Sequence, residues 1–470
     1  MKGLPAVGVV GLVLGSVLFT ATASGQTLEE ALASAYLNNP ELQAQRAQLR
    51  QVDEQVPQAL SGWRPSAEAF GELGVRRRTF RGDVGGSDSQ NLTPREIGGR
   101  IVQPLFRGGR TIAATRAAEN AVMAARARLL DAQQRVLLAA VSAYVNVLAA
   151  QAVVEFEVQN EQRLQRFFQA TGDRFDVGEV TRTDVFQSEA RLARSTADRL
   201  QREGELQVAR AEFLRIIGMP PGALQLPTVP PQIPDSLTEA VELASANNPE
   251  LLAAEYDERR ARDRVDQVRG ELLPELNLTG EASTGVDAAG DNIEADDLRA
   301  AVNLTVPLYQ SGAVYSRLRE AKQIVAEARD TVNAQRRLAI RDATQAWNEF
   351  EAAQAQDKAF GTEVRANEIA VEGVEREQAV GTRTVLDVLD TQQDLIDSQR
   401  SLVLAKRDVI RFAYELMSAT GTLTAGELQL PVQQYEPGNH YQQVRGKWFG
   451  GDSIGDMNDP AFVPAVPTRR

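Results

Sequence analysis

Leu28-Glu29-Glu30-Ala31, followed by Asn38-Asn39-Pro40-Glu41-Leu42, returns as Leu237-Thr238-Glu239-Ala240 followed by Asn247-Asn248-Pro249-Glu250-Leu251, at a constant offset of 209. Pro65 and Pro274 keep that offset. Farther on, Pro104-Leu105-Phe106 with Gly109 matches Pro307-Leu308-Tyr309 with Gly312 at an offset of 203. The new offset holds for Ala149-Ala150-Gln151-Ala152 against Ala352-Ala353-Gln354-Ala355, Gly178 against Gly381, Asp184-Val185 against Asp387-Val388, and Gly218 against Gly421. Loops absorb length changes and packed elements do not, so the one change of register, between the paired prolines, places an exposed loop there. The chain therefore reads as two tandem units, residues 26–218 and 236–421. Pro220, Pro221, Pro227, Pro230, Pro231 and Pro234 crowd the linker 219–235, which cannot be helical and is expected to run extended. The irregular stretch 422–470, ending at Arg470, reads as a mobile tail.

Within each unit the hydrophobic period changes from two to helical. Ala67, Ala69, Gly71, Leu73 and Val75 alternate with Glu68, Phe70 and Glu72, and Leu276, Leu278, Gly280 and Ala282 alternate with Asn277, Thr279, Glu281 and Ser283. After the loop, Leu298, Ala300, Val302, Leu304, Val306 and Leu308 oppose Arg299, Ala301, Asn303 and Thr305. Such strands have one apolar and one polar side, as in a membrane barrel or a half-buried soluble sheet. From Arg110 to Gly172 there is no proline, and Leu130, Leu137, Val141, Tyr144 and Leu148 recur at helical spacing. Its counterpart runs from Ala313 to Gln378, with Trp347 in the place of Tyr144. Helices of this length, roughly 95 Å, belong to coiled-coil or helical-barrel packing. Gly178 and Gly381 mark tight turns, Gly218 and Gly421 the ends of returning helices. Two units supply four strands, whereas closed membrane barrels begin at about eight, so several chains have to contribute.

Composition narrows the chemistry. The 470 residues include no cysteine and one histidine, His440, which removes thiolate metal sites and cysteine nucleophiles and leaves no constellation for an enzyme, a metal or a cofactor. His440 receives no role. A formal charge of −13 disfavours nucleic acid as a partner. Lys2, the apolar run Val7 to Phe19, and the small residues Ala21-Thr22-Ala23 or Ala23-Ser24-Gly25 read as a signal peptide over 1–25, with the mature chain starting near Ser24 or Gln26. No later segment is read as offering 18 uncharged apolar residues, so membrane residence is expected through a β-barrel.

These motifs resemble the TolC family of outer-membrane efflux proteins. The resemblance rests on Asn-Pro-Glu-Leu at 39–42 and 248–251, Pro-Leu-Phe/Tyr before Gly109 and Gly312, Arg174-Phe175-Asp176-Val177-Gly178, and Val380-Gly381-Thr382-Arg383-Thr384 followed by Asp387 and Asp390. It covers about 28 to 421. It implies a mainly α fold with membrane β: a homotrimer whose twelve-stranded outer-membrane barrel continues into a long periplasmic α-helical barrel. It further implies a passive duct, contacting outer-membrane lipid and docking to a periplasmic adaptor and an inner-membrane ABC or proton-driven transporter, for type I protein secretion or small-molecule efflux. The alternative from another class is a pore-free periplasmic coiled-coil scaffold.

The resemblance also implies sites. Asp387 and Asp390, one helical turn apart, match an aspartate ring at the periplasmic aperture, where carboxylates favour cations; acids at a helix start also simply complement its dipole. Arg383 matches a tip arginine that bonds to positions matching Thr183 and Asp184, forming a latch with Gln378, which stands where the family has tyrosine. Val177, Gly178, Val380, Gly381 and Thr382 match the tips where adaptors dock. Arg76, Arg77, Arg78 and Arg81 in the first loop, and Asp287, Asp291, Glu294, Asp296 and Asp297 in the second, read as solvated loop charge in preference to the alternative for the arginines, contact with lipopolysaccharide phosphates. The tips differ in one respect: Arg383 precedes Asp387, but Val180 occupies the matching place before Asp184.

Overall fold

The computed structural model describes residues 26–82, 86–230, 232–287 and 292–451. The leader 1–25, Pro231, Asp291, the Arg81 side chain and residues 452–470 lie outside the described residues. The first unit runs α1 (Leu28–Asn38), α2 (Pro40–Asp53), α3 (Gln55–Leu60), β1 (Ser66–Leu73), β2 (Arg76–Gly82), β3 (Gly86–Leu92), β4 (Arg95–Arg107), α4 (Arg110–Asp176) and α5 (Arg182–Ile217). The second repeats the plan with α6 (Leu237–Asn247), α7 (Pro249–Arg269), β5 (Glu275–Val286), β6 (Glu294–Thr305), α8 (Ala313–Ala379) and α9 (Val385–Ala419); α10 (Asn439–Arg445) follows.

The repeated Asn-Pro-Glu-Leu is a helix start. Asn39 Oδ1 accepts from the Glu41 and Leu42 amides at 2.9 and 3.4 Å, and Asn248 Oδ1 from the Leu251 amide at 3.0 Å. Proline stands at the first helical position in both, where no amide is needed.

Four strands form one antiparallel sheet in the order β1-β4-β5-β6, and β2 and β3 make a separate hairpin. The interval expected to hold an exposed loop thus carries a two-stranded extension in the first unit, where the chain is six residues longer. By register, Ile97, Ile101, Leu298, Val302 and Leu304 share one face of the sheet and are 54% to 89% exposed. On the opposite face Glu68, Arg100, Glu281 and Arg299 lie abreast on successive strands. Arg100 bridges Glu68 at 3.2 Å and Glu281 at 3.1 Å.

Helices α4 and α8 each have 67 residues, about 100 Å at the usual rise. Near the sheet α4 packs against α2 and α7, and α8 against α7; toward the other end α4 pairs with α5 and α8 with α9. Alanine and valine dominate the buried positions of α4, which lets helix axes approach closely. Contrary to expectation, a long uncharged segment does lie beyond the leader. Residues 137–154 of α4 carry no charge, and this helix is long and apolar enough to cross a membrane, but its apolar stretch is more than half buried inside the chain. It is packed core: Leu137, Ala140, Val141 and Tyr144 lie in the main hydrophobic cluster with α1, α5 and α9.

Tyr144 organises that level. Its hydroxyl lies 2.7 Å from the carbonyl oxygens of both Gln26 and Gln225 and accepts the Gln225 amide at 3.0 Å. It thereby clamps the proline-rich linker, extended as expected around a parallel bridge between Gln26 and Leu224, onto α4. The stretch after Gly421, expected to be mobile, is instead packed against the first unit over most of its described length. Leu423, Ala425 and Leu430 are buried in the main cluster, and His440, assigned no role, sits 3.0 Å from fully buried Asp53. Local irregularity concealed a segment ordered by tertiary contacts.

Gly421 (φ +77°) is fixed by crowding as well as by conformation: a Cβ there would meet the Asn247 carbonyl oxygen at 2.4 Å. At Gly381 (φ +82°) a Cβ would meet nothing. Gly381→Ala is therefore expected to cost about 1 kcal/mol of backbone strain, and Gly421→Ala an additional ~1–3 kcal/mol of overpacking. Denaturant unfolding followed by circular dichroism checks the order; equal losses would contradict the close approach.

Candidate gate at the helix tips

Both long helices end in the same turn. The Gly178 amide donates to Phe175 O and the Glu179 amide to Arg174 O, while the Gly381 amide donates to Gln378 O and the Thr382 amide to Glu377 O. This Schellman arrangement needs a left-handed residue, and Gly178 and Gly381 have φ of +83° and +82°. Each returning helix then begins with a capping box. Thr181 Oγ1 accepts the Asp184 amide while Asp184 Oδ2 accepts the Thr181 amide at 2.8 Å, and Thr384 and Asp387 repeat the exchange at 3.2 and 2.9 Å.

The capping boxes commit the sequence-selected acids. Asp387 holds α9's first turn, and the Thr384 amide and hydroxyl, joined by the nearby Arg383 charge, keep its carboxyl below the usual range. Asp390, one turn on and exposed, is ion-paired to Arg191 of α5. Arg383 donates from Nε to Glu377 Oε2 at 2.9 Å. The expected bond from Arg383 to Thr183 and Asp184 is not made within the chain, because Glu377 holds Arg383 and Thr181 holds Asp184. Gln378, in the position of the family tyrosine, accepts from Arg174 Nη1 at 3.2 Å and so joins the two tips.

The geometry makes a seam between two hairpins, α4–α5 and α8–α9. Three polar links cross it: Arg174 to Gln378, Arg191 to Asp390, and Arg400 to Glu157, whose side chain is 3% exposed. Between them Leu164, Val385 and Leu389 form a small buried cluster, flanked by Phe167, Val180 and Leu192. Val180 thus turns into apolar packing where Arg383, its counterpart, points to solvent. Sequence reading missed Arg191; its signal was a charged residue between Ser188 and Ser195, both buried on α5.

An edge-open sheet with an exposed apolar face, continued by helices about 100 Å long that end in paired tips, is an elongated architecture of the kind that outer-membrane channel proteins have. The chain belongs to the outer membrane efflux protein family, whose profile matches residues 31–219 and 240–422, and it is a TolC-like member. It is 34% identical to the outer membrane efflux protein BepC of Brucella suis, over 93% of this chain and 95% of that one. It is 27% identical to the outer membrane protein TolC of Vibrio cholerae, over 85% and 91%. The CmeC outer membrane channel of Campylobacter jejuni has the same fold, with a TM-score of 0.76 over 89% of each chain at 14% identity.

A carboxyl held below its normal range stabilises the fold above about pH 4, the ordinary aspartate value, and that contribution is lost as the pH falls through its lower folded value. Thr384→Val removes the hydroxyl and leaves the amide. It is expected to move the Asp387 titration partway back up, read by carbon-13 NMR of labelled aspartate; an unchanged titration would contradict the capping account.

Proposed function

We propose that the chain is one protomer of a homotrimeric exit duct in the outer membrane of a Gram-negative bacterium, exported with a cleaved leader and built from tandem units 26–218 and 236–421. Three four-stranded sheets make a twelve-stranded barrel in the lipid, and the helices of three copies make the periplasmic tube. The observation that carries this reading is the sheet itself. Among the described residues β1 and β6 have no strand partner on their outer edges, and one sheet face is apolar and exposed. Unpaired edges are not tolerated in lipid, and four strands are too few to close. Membership of the efflux family weighs against a pore-free scaffold.

The duct performs no chemistry; an inner-membrane ABC or proton-driven transporter supplies the energy and a periplasmic adaptor seals the joint. The tips are the docking surface, with Val177 and Val380 at 72% and 76% exposure beside Gly178, Gly381 and Thr382. Asp387 and Asp390 of three copies line the closed aperture. Separation of the hairpins opens it, breaking the Arg174–Gln378 and Arg191–Asp390 links while leaving the capping boxes intact, since those lie within single turns. Arg383, held by Glu377 in its own chain, has Thr183 and Asp184 as latch partners across a boundary between copies.

Purified protein is expected to run as a heat-modifiable trimer and to give cation-selective currents in planar bilayers. Asp387→Asn with Asp390→Asn keeps a capping side chain, removes the charge and lowers cation preference. Arg191→Ala raises the mean current by up to about fivefold, the ceiling for an exposed pair worth under ~1 kcal/mol. A monomer with no current in any variant would overturn the reading.

A further inference from the structure

The segment after Gly421 travels in one direction along the first unit. The Tyr435 amide donates to the Tyr36 hydroxyl at 2.9 Å, His440 meets Asp53 near the end of α2, and Tyr441 packs on the cluster around Val56 and Val122. Arg445 reaches Glu119 at 3.0 Å, and the Lys447 carbonyl accepts from Arg64 Nη1 at 2.8 Å. Arg64 stands two residues before β1, and the neighbouring Trp63 carbonyl accepts from Gln103 near the base of β4. The segment therefore climbs α2 and α3 and arrives at the foot of the sheet.

There the packing stops being economical. Trp448 and Phe449 are 57% and 86% exposed, side by side with ring centroids 6.5 Å apart, and the Arg64 guanidinium lies 4.9 Å from the Trp448 ring centre. At the same foot β4 and the stretch that follows β6 leave apolar side chains uncovered: Leu105 and Phe106 at 45%, Leu308 at 91% and Tyr309 at 79%. Adjacent exposed aromatics are costly in water, whereas at a bilayer surface their apolar bodies enter the acyl boundary and cations meet lipid phosphates. Membrane barrels carry such aromatic girdles where the apolar band ends.

We propose that Trp448 and Phe449 anchor the carboxyl-terminal segment in the periplasmic leaflet of the membrane that holds the barrel, with Arg64 and Lys447 beside the phospholipid phosphates. This rests on the duct reading and extends it: the segment is a strut between the helical wall and the lipid, continuous with the apolar foot of the strands. The occupant is phospholipid, because the patch combines aromatic rings with cations and adjoins the exposed apolar sheet face.

The protein contains three tryptophans, so Trp63→Phe with Trp347→Phe isolates Trp448. The variant is reconstituted in nanodiscs of phosphatidylethanolamine and phosphatidylglycerol, part of the lipid brominated at upper acyl carbons, with circular dichroism as the check on folding. Trp448 emission is expected to fall at least about twofold with brominated lipid and to resist acrylamide, as for an interfacial ring. The matching variant that keeps only Trp347, on α8 beside α6, is expected to be insensitive to bromine. Nanodisc-inserted protein in which Trp448 is quenched by acrylamide alone would overturn the anchor and leave the duct standing. Shielding from both quenchers would also overturn it, in favour of contact between copies. Protein that does not enter nanodiscs would overturn the duct reading and the anchor together.

Discussion

A helix of 67 residues cannot bury its own surface, and the rest of this chain is laid out along two of them. Each long helix meets a succession of partners: α7 near the sheet, α1 or α6 at mid-length, and a returning helix toward the tip. No single core results. The described residues instead contain one main cluster around Tyr144 and Leu137 and several small ones spaced along the helices. Stability in such a layout is local, so the middle and the ends of the helices are held by separate sets of contacts.

The middle is fixed by crossings between distant parts of the sequence. Tyr144, Gln26 and Gln225 bring the start of the first unit, its long helix and the linker to one point. Asn39 caps α2 and also donates to the Ile216 carbonyl at 3.0 Å, so the repeated helix start doubles as a brace for the end of α5. The tips have far less. Across their seam run three polar links and one small apolar cluster; the Arg191–Asp390 pair is exposed and of modest strength, and Arg174–Gln378 is a single part-buried hydrogen bond. The Arg400–Glu157 pair sits farther from the turns; Glu157 is buried, so losing Arg400 would take this partner from a buried carboxylate, whereas Arg400 also bridges Asp397. The seam is therefore weakest at its open end.

Sequence patterning was sufficient wherever the physical cause is local. The repeated Asn-Pro-Glu-Leu, the alternation of strands, the uninterrupted helical stretches and the turn glycines all act within a few residues; the helix starts, long helices and turns are found where capping and periodicity put them, and the strands end a few residues before the alternation does, β1 at Leu73 and β6 at Thr305. Two duplicated registers also showed that the tips differ at Val180 and Arg383. Patterning failed where the cause is a partner far along the chain. Residues 422–451 have little periodicity of their own, yet Leu423, Leu430 and Val444 are buried because α1, α2 and α4 offer them a surface.

The acids at the tips show the same division. That Asp387 and Asp390 share a helix face follows from their spacing alone, since three residues span nearly one turn. What each carboxylate does within the chain depended on three dimensions: Asp387 closes a capping box, which neighbouring residues largely dictate, but Asp390 meets Arg191 only because α5 and α9 pack side by side. The repeated plan of helix start, alternating strands, long helix and returning helix was legible in the sequence, because hydrogen-bonding and hydrophobic period are local, while the β2–β3 hairpin and α10 were not. Which charges pair, where the carboxyl-terminal segment lies and what holds the hairpins together emerged in three dimensions, because those energies come from contacts between residues hundreds of positions apart.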